Sequence, residues 1–340
     1  MTGVEGYIGC LLAPILLRRG YEVVGLDTGF YRDGWLYSDR DLFPVFPTLI
    51  NKDLRHATEE DLSGAEAVVH LAELSNDPLG ENSPDITKEI NHKGSLRLAK
   101  LAKGLGIERF VYTSSCSVYG ISDADRVTEE SPVNPQTTYA ECKVAVETDL
   151  GAMAGDDFSP TFLRNATAYG ASPRMRFDIV LNNLAGLAWT TGKIAMTSDG
   201  TPWRPLVHVL DICHAILAAL EAPRERIHNQ VFNVGDTKAN YQIREIAEIV
   251  GDVFPDCEVT MGPSGGDDRS YRVSFDKIRD QLPEFRCAWD ARRGAEQLYE
   301  AFKRIDMTGE RFQAPPFTRL QQLRYLLGTG QIDESFFWKA

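Results

Sequence analysis

No apolar run in this 340-residue chain is long enough to span a membrane. The six cysteines (Cys10, Cys116, Cys142, Cys213, Cys257, Cys287) contain no CxxC pair and no metal-like spacing. That sets aside a zinc site and points to free thiols in a reducing compartment. Positive charge is in deficit: 36 Lys and Arg against 49 Asp and Glu give a net charge of −13. The balance argues against nucleic acid or an anionic membrane as partner, and an anionic ligand would need a local arginine cluster. Internal repeats and low-complexity segments are absent. The opening residues do not read as a secretory leader, so a cytoplasmic chain is the expectation. No metal is expected.

What stands at the start is Met1-Thr2-Gly3-Val4-Glu5-Gly6-Tyr7-Ile8-Gly9, three glycines spaced by three, followed by an apolar helical run. Glycine lets a backbone turn tightly and approach a phosphate, and a helix N-terminus behind it offers free N–H groups to a pyrophosphate. Such a loop ordinarily follows a buried strand. A strand of about five or six residues is missing ahead of Thr2, so the expectation is a truncated first strand in a chain that begins upstream of Met1. The run Tyr21 to Asp27 reads as a short strand ending in an acid, the place of the carboxylate that binds the adenosine ribose. Asp27 there would repel a 2′-phosphate and favours NAD over NADP.

Further strands are expected at Ala65–Ala72 and Ile107–Tyr112. A long amphipathic helix from about Asp85 to Leu105 lies between them and ends at Gly106. The alternation predicts an α/β chain with a doubly wound parallel sheet. Tyr139 and Lys143 are four apart on a helical stretch and therefore share one face. An ammonium beside a phenol favours the phenolate. Ser115, at the end of the preceding strand, could bond the same substrate oxygen. Together they describe hydride transfer from a secondary alcohol beside a dinucleotide. Asn182 and Asn183 suit a polar cleft. Arg204 and Arg269 are candidate diphosphate ligands. Arg174 and Arg176 are weaker candidates, for which an exposed salt bridge is the favoured reading. His208 reads as a packed strand residue, and the tail Pro315–Trp338 as packing on the small lobe or on a second subunit.

These motifs closely resemble the extended short-chain dehydrogenase/reductases, the nucleotide-sugar epimerase and dehydratase family, over nearly the whole chain. Thr2–Gly9 is similar to the family's TGxxGxxG loop, Asp27 to its ribose-binding acid, and Asp53-Leu54 to the pair that meets adenine. His70-Leu71-Ala72 is similar to the strand against the cofactor, and Asn91 to the helix Asn that supports the active site. Ser115, Tyr139 and Lys143 are similar to the catalytic set. Leu163-Arg164-Asn165 through Gly170, and Asp199-Gly200 with Arg204, Val207-His208-Val209 and Asp211, resemble later family segments. The resemblance implies a Rossmann domain over 1–170, with 205–236 returning to it, and a smaller C-terminal substrate lobe of 171–204 and 237–340. It implies NAD held by Gly3, Gly6, Tyr7, Ile8, Gly9, Asp27, Asp53, Leu54, Leu71, Ala72, Asn91, Tyr139 and Lys143. It implies a nucleotide-sugar substrate, with Ser75, Ser115, Asn165, Asn182, Arg204 and Arg269 as candidate contacts, and a homodimer.

Departures from the family narrow the chemistry. Its 4,6-dehydratases carry Asp-Glu directly after the catalytic Ser/Thr, where this chain has Cys116 and Ser117. Its glucuronate decarboxylases carry Glu at the position of Ser117. Cys116 should face away from the site, since strand side chains alternate. Glu73 stands where a small residue is usual, near the substrate, and could meet a sugar hydroxyl or amine. The expected activity is epimerisation at C4 through a transient 4-keto sugar. The alternatives are a nucleotide-sugar ketoreductase or another keto-intermediate enzyme and, from a different class, a non-catalytic NAD-binding regulator.

Overall fold

The short apolar runs of the chain become strands in the computed structural model, which describes residues 1–38, 47–75, 81–122, 124–264 and 269–339. In order they are β1 (Val24–Asp27), β2 (Thr48–Asn51), β3 (Ala67–His70), β4 (Arg109–Ser115), β5 (Ser159–Asn165), β6 (Thr167–Tyr169), β7 (Lys193–Ala195), β8 (Trp203–His208), β9 (Gln230–Val234), β10 (Asn240–Gln242) and β11 (Glu258–Thr260). β3, β4, β5 and β9 lie side by side in that order, all parallel. β1 pairs in parallel with β2.

Thr2 joins these two groups, bridging to Leu26 on one side and to His70 on the other, both in parallel sense. Leu26 N donates to Met1 O at 2.8 Å, Gly3 N to Leu26 O at 2.9 Å and Thr2 N to Val69 O at 3.0 Å. Met1, Thr2 and Gly3 thus supply the backbone hydrogen bonds that join β1 to β3. The order is therefore β2, β1, Thr2, β3, β4, β5, β9.

Period-2 alternation sends successive side chains of each strand to opposite faces. Val68, Phe110, Tyr112 and Phe162 pack with Leu98, Val146 and Leu150 on one side. Val69, Val111 and Leu163 pack with Leu12, Leu16, Ile212 and Ile216 on the other. Both faces are thus covered by helices, the condition under which a parallel sheet is stable.

The later strands form smaller sheets, β10–β8–β6 and β11–β7. Beside them pack the helices Val180–Thr191, Ile243–Val253 and Ala291–Arg304. Trp189, Phe254, Tyr299 and Phe302 meet edge-on or tilted in their core. The helix expected over 85–105 is a compound one: an α-turn at Pro84–Thr87, a π-helical stretch at Lys88–Gly94, then α-helix at Ser95–Gly104. Among the described residues no helix is long and apolar enough to cross a membrane.

The tail does not stay on the small lobe. Phe317 packs on Phe177, but further on Phe337 stacks on His56 at 4.7 Å and Trp338 Nε1 donates to Thr28 O at 2.7 Å. The chain's last aromatics therefore rest on the loops that follow β1 and β2.

Candidate active site

The helix Gly9–Arg18 starts without a side-chain cap, which leaves first-turn N–H groups available to a ligand. The loop in front of it is too tight for side chains. Gly3 has φ +68° and a Cβ there would sit 2.9 Å from Ala72 N. A Cβ on Gly9 would run into the Gly3 carbonyl oxygen and sit 2.8 Å from Val4 Cα. The loop borders a cleft lined by Gly3, Gly6, Tyr7, Ile8, Gly9, Asp27, Asp53, Leu54, Leu71 and Ala72, all of them expected cofactor residues. The Asp27 carboxylate accepts from Glu5 N at 3.0 Å and Gly29 N at 2.8 Å. Burial pushes its pKa up against those two bonds. Asp53 caps the next turn and grips Arg55. An uncapped helix, a glycine cradle that a Cβ would fill and a carboxylate at the end of β1 fit a dinucleotide.

A buried chain of hydrogen bonds ties this loop to the helix bearing Asn91. Leu71 N and Ala72 N both donate to Thr2 Oγ1 at 3.2 Å. Thr2 Oγ1 lies 2.7 Å from His70 Nδ1, and His70 Nε2 lies 2.7 Å from Ser95 Oγ. Ser95 in turn donates to Asn91 O. The directions follow by elimination: Ser95 spends its proton on Asn91, so His70 donates from Nε2 and accepts at Nδ1. A neutral imidazole satisfies both bonds, and burial holds the His70 pKa down at about 3. Asn91 clamps Leu74, accepting from its N at 2.8 Å and donating to its O at 3.0 Å. Asn91 is buried and does not line the cleft; its role here is to shape the 71–74 wall.

Tyr139 and Lys143 lie on the helix Thr138–Met153, which Thr137 caps through Ala140 N. Lys143 Nζ is 5.4 Å from the Tyr139 ring centroid and donates to Thr113 O on β4. Ser115 ends the same strand, half-buried, its Oγ accepting from Ser117 N at 3.1 Å. Asn165 is level with Ser115 on β5 and donates to Ser114 O at 3.3 Å. Cys116 is buried, its Sγ directed at Arg164 O at 3.1 Å. Glu73 departs from the sequence expectation. Its carboxylate is already engaged within the chain: it contacts Lys143 Nζ at 2.6 Å and accepts from Tyr112 OH at 2.5 Å. Burial works against the Lys143 ammonium, yet Glu73 and Tyr139 keep its pKa above the ordinary lysine value. Glu73 lines the cleft, whereas Ser115, Tyr139 and Lys143 do not.

The other candidates divide. Arg204 and Arg269 come together, Arg204 Nη1 donating to Arg269 O and to Trp203 O. Asn182, expected to line a cleft, is fully buried instead: it accepts from Gly170 N at 2.9 Å and donates to Tyr7 OH and Arg176 O at 3.2 and 3.0 Å. Tyr7 OH itself donates to Gly170 O at 2.6 Å. Asn182 thus locks the glycine loop to the segment after β6. The expectation of exposed salt bridges at Arg174 and Arg176 fails, because they are only 1% and 9% exposed. Arg174 donates to Tyr31 O and lies 4.0 Å over the Trp35 ring. Arg176 makes a two-point pair with Asp178 and donates to Ser75 Oγ at 3.2 Å. Arg319, from the far end of the chain, lies 3.9 Å over Tyr31 and shares the cleft wall with Ser75 and Arg176. Sequence reasoning misses Arg319, whose only signal is an arginine inside an apolar tail. The segment 267–268 considered with Arg269 falls outside the described residues.

Comparison with known proteins identifies the family of the chain. The NAD dependent epimerase/dehydratase family model matches residues 1–235. The UDP-glucose 4-epimerase of Mycolicibacterium smegmatis is 32% identical over 294 residues, 83% of this chain and 91% of that protein. The UDP-glucose 4-epimerase of Corynebacterium glutamicum is 27% identical over 299 residues, 83% and 88% of the two chains. Among solved structures, MoeE5 in complex with UDP-glucose and NAD superposes with a TM-score of 0.75 at 26% identity, covering 89% of this chain and 97% of that one. TunA, an NAD-dependent NDP-hexosamine 5,6-dehydratase, has a TM-score of 0.79 at 24% identity over 90% and 97% of the chains and shares the fold.

Proposed function

The chain belongs to the NAD-dependent epimerase/dehydratase family, and from that premise we propose that it inverts C4 of a nucleotide-activated sugar through a transient 4-keto intermediate. The observation that carries the reading is the Tyr139–Lys143 pair on one helix face beside the dinucleotide cleft, with Cys116 and Ser117 where elimination would need an acid and a base. Cys116 is buried and burial pushes its thiol pKa well up, so it offers no proton transfer near neutrality. Its relatives named as UDP-glucose 4-epimerases support the same choice.

The glycine loop and Asp27 would hold NAD, which when bound would supply a reversible hydride acceptor. The rest falls to this chain's side chains. Tyr139 takes the proton from the sugar 4-hydroxyl as the C4 hydride leaves, and gives it back once the ketone has turned over. Lys143 stabilises the phenolate, and Ser115 hydrogen-bonds the reacting oxygen. Arg204 and Arg269, gathered where β8 meets the segment beyond 268, are the proposed cations for the diphosphate. Asn165 and Ser75 are the proposed sugar contacts, while Asn182 acts through the loop it locks. We assign residues 171–204 and 237–318 to the lobe that receives the nucleotide, the tail beyond them packing on the cofactor domain, and pairing of two copies through helices of the cofactor domain belongs to the same proposal.

The test is a panel of nucleotide sugars incubated with purified protein and NAD, read by mass spectrometry and NMR. Interconversion of a C4-epimeric pair without net change in NADH supports the proposal. Stoichiometric use of NAD(P)H with a keto sugar establishes a ketoreductase, and loss of water from the sugar establishes a dehydratase; either overturns it.

A further inference from the structure

Glu73 occupies a position the proposed reaction does not use, yet it is the closest charged neighbour of a residue that the reaction does use. Its carboxylate contacts Lys143 Nζ at 2.6 Å and accepts the Tyr112 hydroxyl at 2.5 Å, and its side chain is 3% exposed against 4% for Lys143. A pair so enclosed is little screened by salt; burial pushes the Glu73 carboxyl pKa up, and Lys143 and the Tyr112 hydroxyl oppose that shift.

Titratable groups face Lys143 and Tyr139 from several packed elements. Ahead of the helix Pro84–Thr87, Glu81 Oε1 accepts from Thr138 N at 2.8 Å, and Lys88 lies near Cys142. From β3 comes His70, which burial holds neutral. From β4 comes Tyr112, whose phenol burial keeps protonated. On the same helix are Cys142, its thiol pushed up to about 12 by burial, and Glu147, which is engaged by Arg164 at 2.6 Å. From the segment after β6 comes Arg176, engaged by Asp178 at 2.9 Å. Apart from Lys88, each is neutral or already engaged by another residue. Among the described residues, Glu73 is the negative charge that answers Lys143.

We propose that Glu73 is a positioning residue of the reaction: by pairing with the Lys143 ammonium it fixes that side chain against β4 and offsets part of the positive charge that favours the Tyr139 phenolate. The proposal rests on Tyr139 being the base. In this arrangement Tyr139 stays protonated to a higher pH than Lys143 alone would allow.

The experiment is an ultraviolet difference titration of phenolate formation in the NAD-saturated protein. Tyr139 is isolated by subtracting a Tyr139→Phe control in each background. Glu73→Gln keeps an acceptor for Tyr112 OH but removes the charge, and the Tyr139 transition is expected to fall by on the order of one pH unit. Tyr112→Phe removes the hydrogen bond but not the charge, and the transition is expected to stay at the wild-type pH. Because no sugar is needed, the result is independent of whether the epimerase proposal survives. With an active sugar in hand, the acid limb of the kcat/KM profile should move by the same amount in Glu73→Gln. Coincident Tyr139 titrations in wild type and folded Glu73→Gln would overturn the proposal. Glu73→Ala serves as the second variant with the same expectation. If neither folds, Glu73 is a structural residue and the assignment falls.

Discussion

Replacing Arg164 with Leu tests how the helix that carries Tyr139 and Lys143 is held. Arg164 donates Nε to Glu147 Oε1 at 3.0 Å and Nη2 to Glu147 Oε2 at 2.6 Å, and its Nη1 donates to Tyr119 OH at 3.0 Å. Ser114 on β4 also donates to Glu147 at 2.5 Å, and Tyr119 donates onward to Asn233 on β9 at 2.7 Å. Helix, β4, β5 and β9 are therefore joined through one ion pair whose side chains are 7% and 9% exposed. Arg164→Leu strands the Glu147 carboxylate in a dry site, which costs about 3–5 kcal/mol of unfolding free energy. Removing both charges in Arg164→Leu/Glu147→Leu deletes the stranded carboxylate. Only Ser114 then loses its acceptor, at about 1 kcal/mol, while Tyr119 keeps Asn233. The double variant should therefore lie within about 2 kcal/mol of wild type, well above the single one. Urea denaturation followed by circular dichroism, combined as a double-mutant cycle, reads both numbers. An Arg164→Leu loss below about 1 kcal/mol, or a double variant no more stable than the single, would refute the reasoning.

Gly9→Ala puts a Cβ into the Gly3 carbonyl and against Val4, so a loss of about 1–3 kcal/mol in stability is expected, together with weaker NAD binding by calorimetry. Arg319→Met removes a buried cation from the cleft wall, and a loss in NAD affinity of about tenfold is expected from one charge-assisted hydrogen bond; unchanged affinity counts against its place in the site. Burial lowers the His208 pKa to about 4. The unfolded chain, titrating near the ordinary value of about 6.5, therefore binds a proton that the folded chain does not. Stability should fall as pH drops from about 6.5 toward 4, by up to about 1.4 kcal/mol per unit for this residue. His208→Gln should flatten that slope in urea titrations run at several pH values, whereas an unchanged slope would show that His208 does not titrate on unfolding.

Part of this site is legible from local spacing alone. Three glycines ahead of an apolar helix, an acid ending the next strand, and a Tyr and Lys four apart all express their geometry within one loop or one helical turn. What spacing does not show depends on partners far along the chain. Glu73 and Lys143 are separated by seventy positions, and Glu147 and Arg164 meet only because the helix folds back on β5. Asn182 is polar in an amphipathic stretch, so a cleft is the natural reading. Burial turns it inward because Gly170 N and Tyr7 OH need a partner there. Arg174 and Arg176 read as surface residues in an acidic chain. The backbone carbonyl of Tyr31 and the Asp178 carboxylate instead hold them inside. The missing first strand looks like a gap because a strand is usually counted in residues. Here three backbone hydrogen bonds of Met1, Thr2 and Gly3, with the Thr2 hydroxyl, join β1 to β3.

The central claim, that Tyr139 and NAD invert C4 of a nucleotide sugar through a ketone, is tested most directly with a substrate deuterated at C4. NMR would follow it with the NAD-loaded wild-type protein and with Tyr139→Phe. The account expects the wild-type protein to form the C4 epimer with deuterium retained at C4 and no net NADH, and Tyr139→Phe to be slower by about 10²–10⁴-fold. Deuterium lost from C4, water lost from the sugar, or a Tyr139→Phe variant as fast as wild type would contradict it.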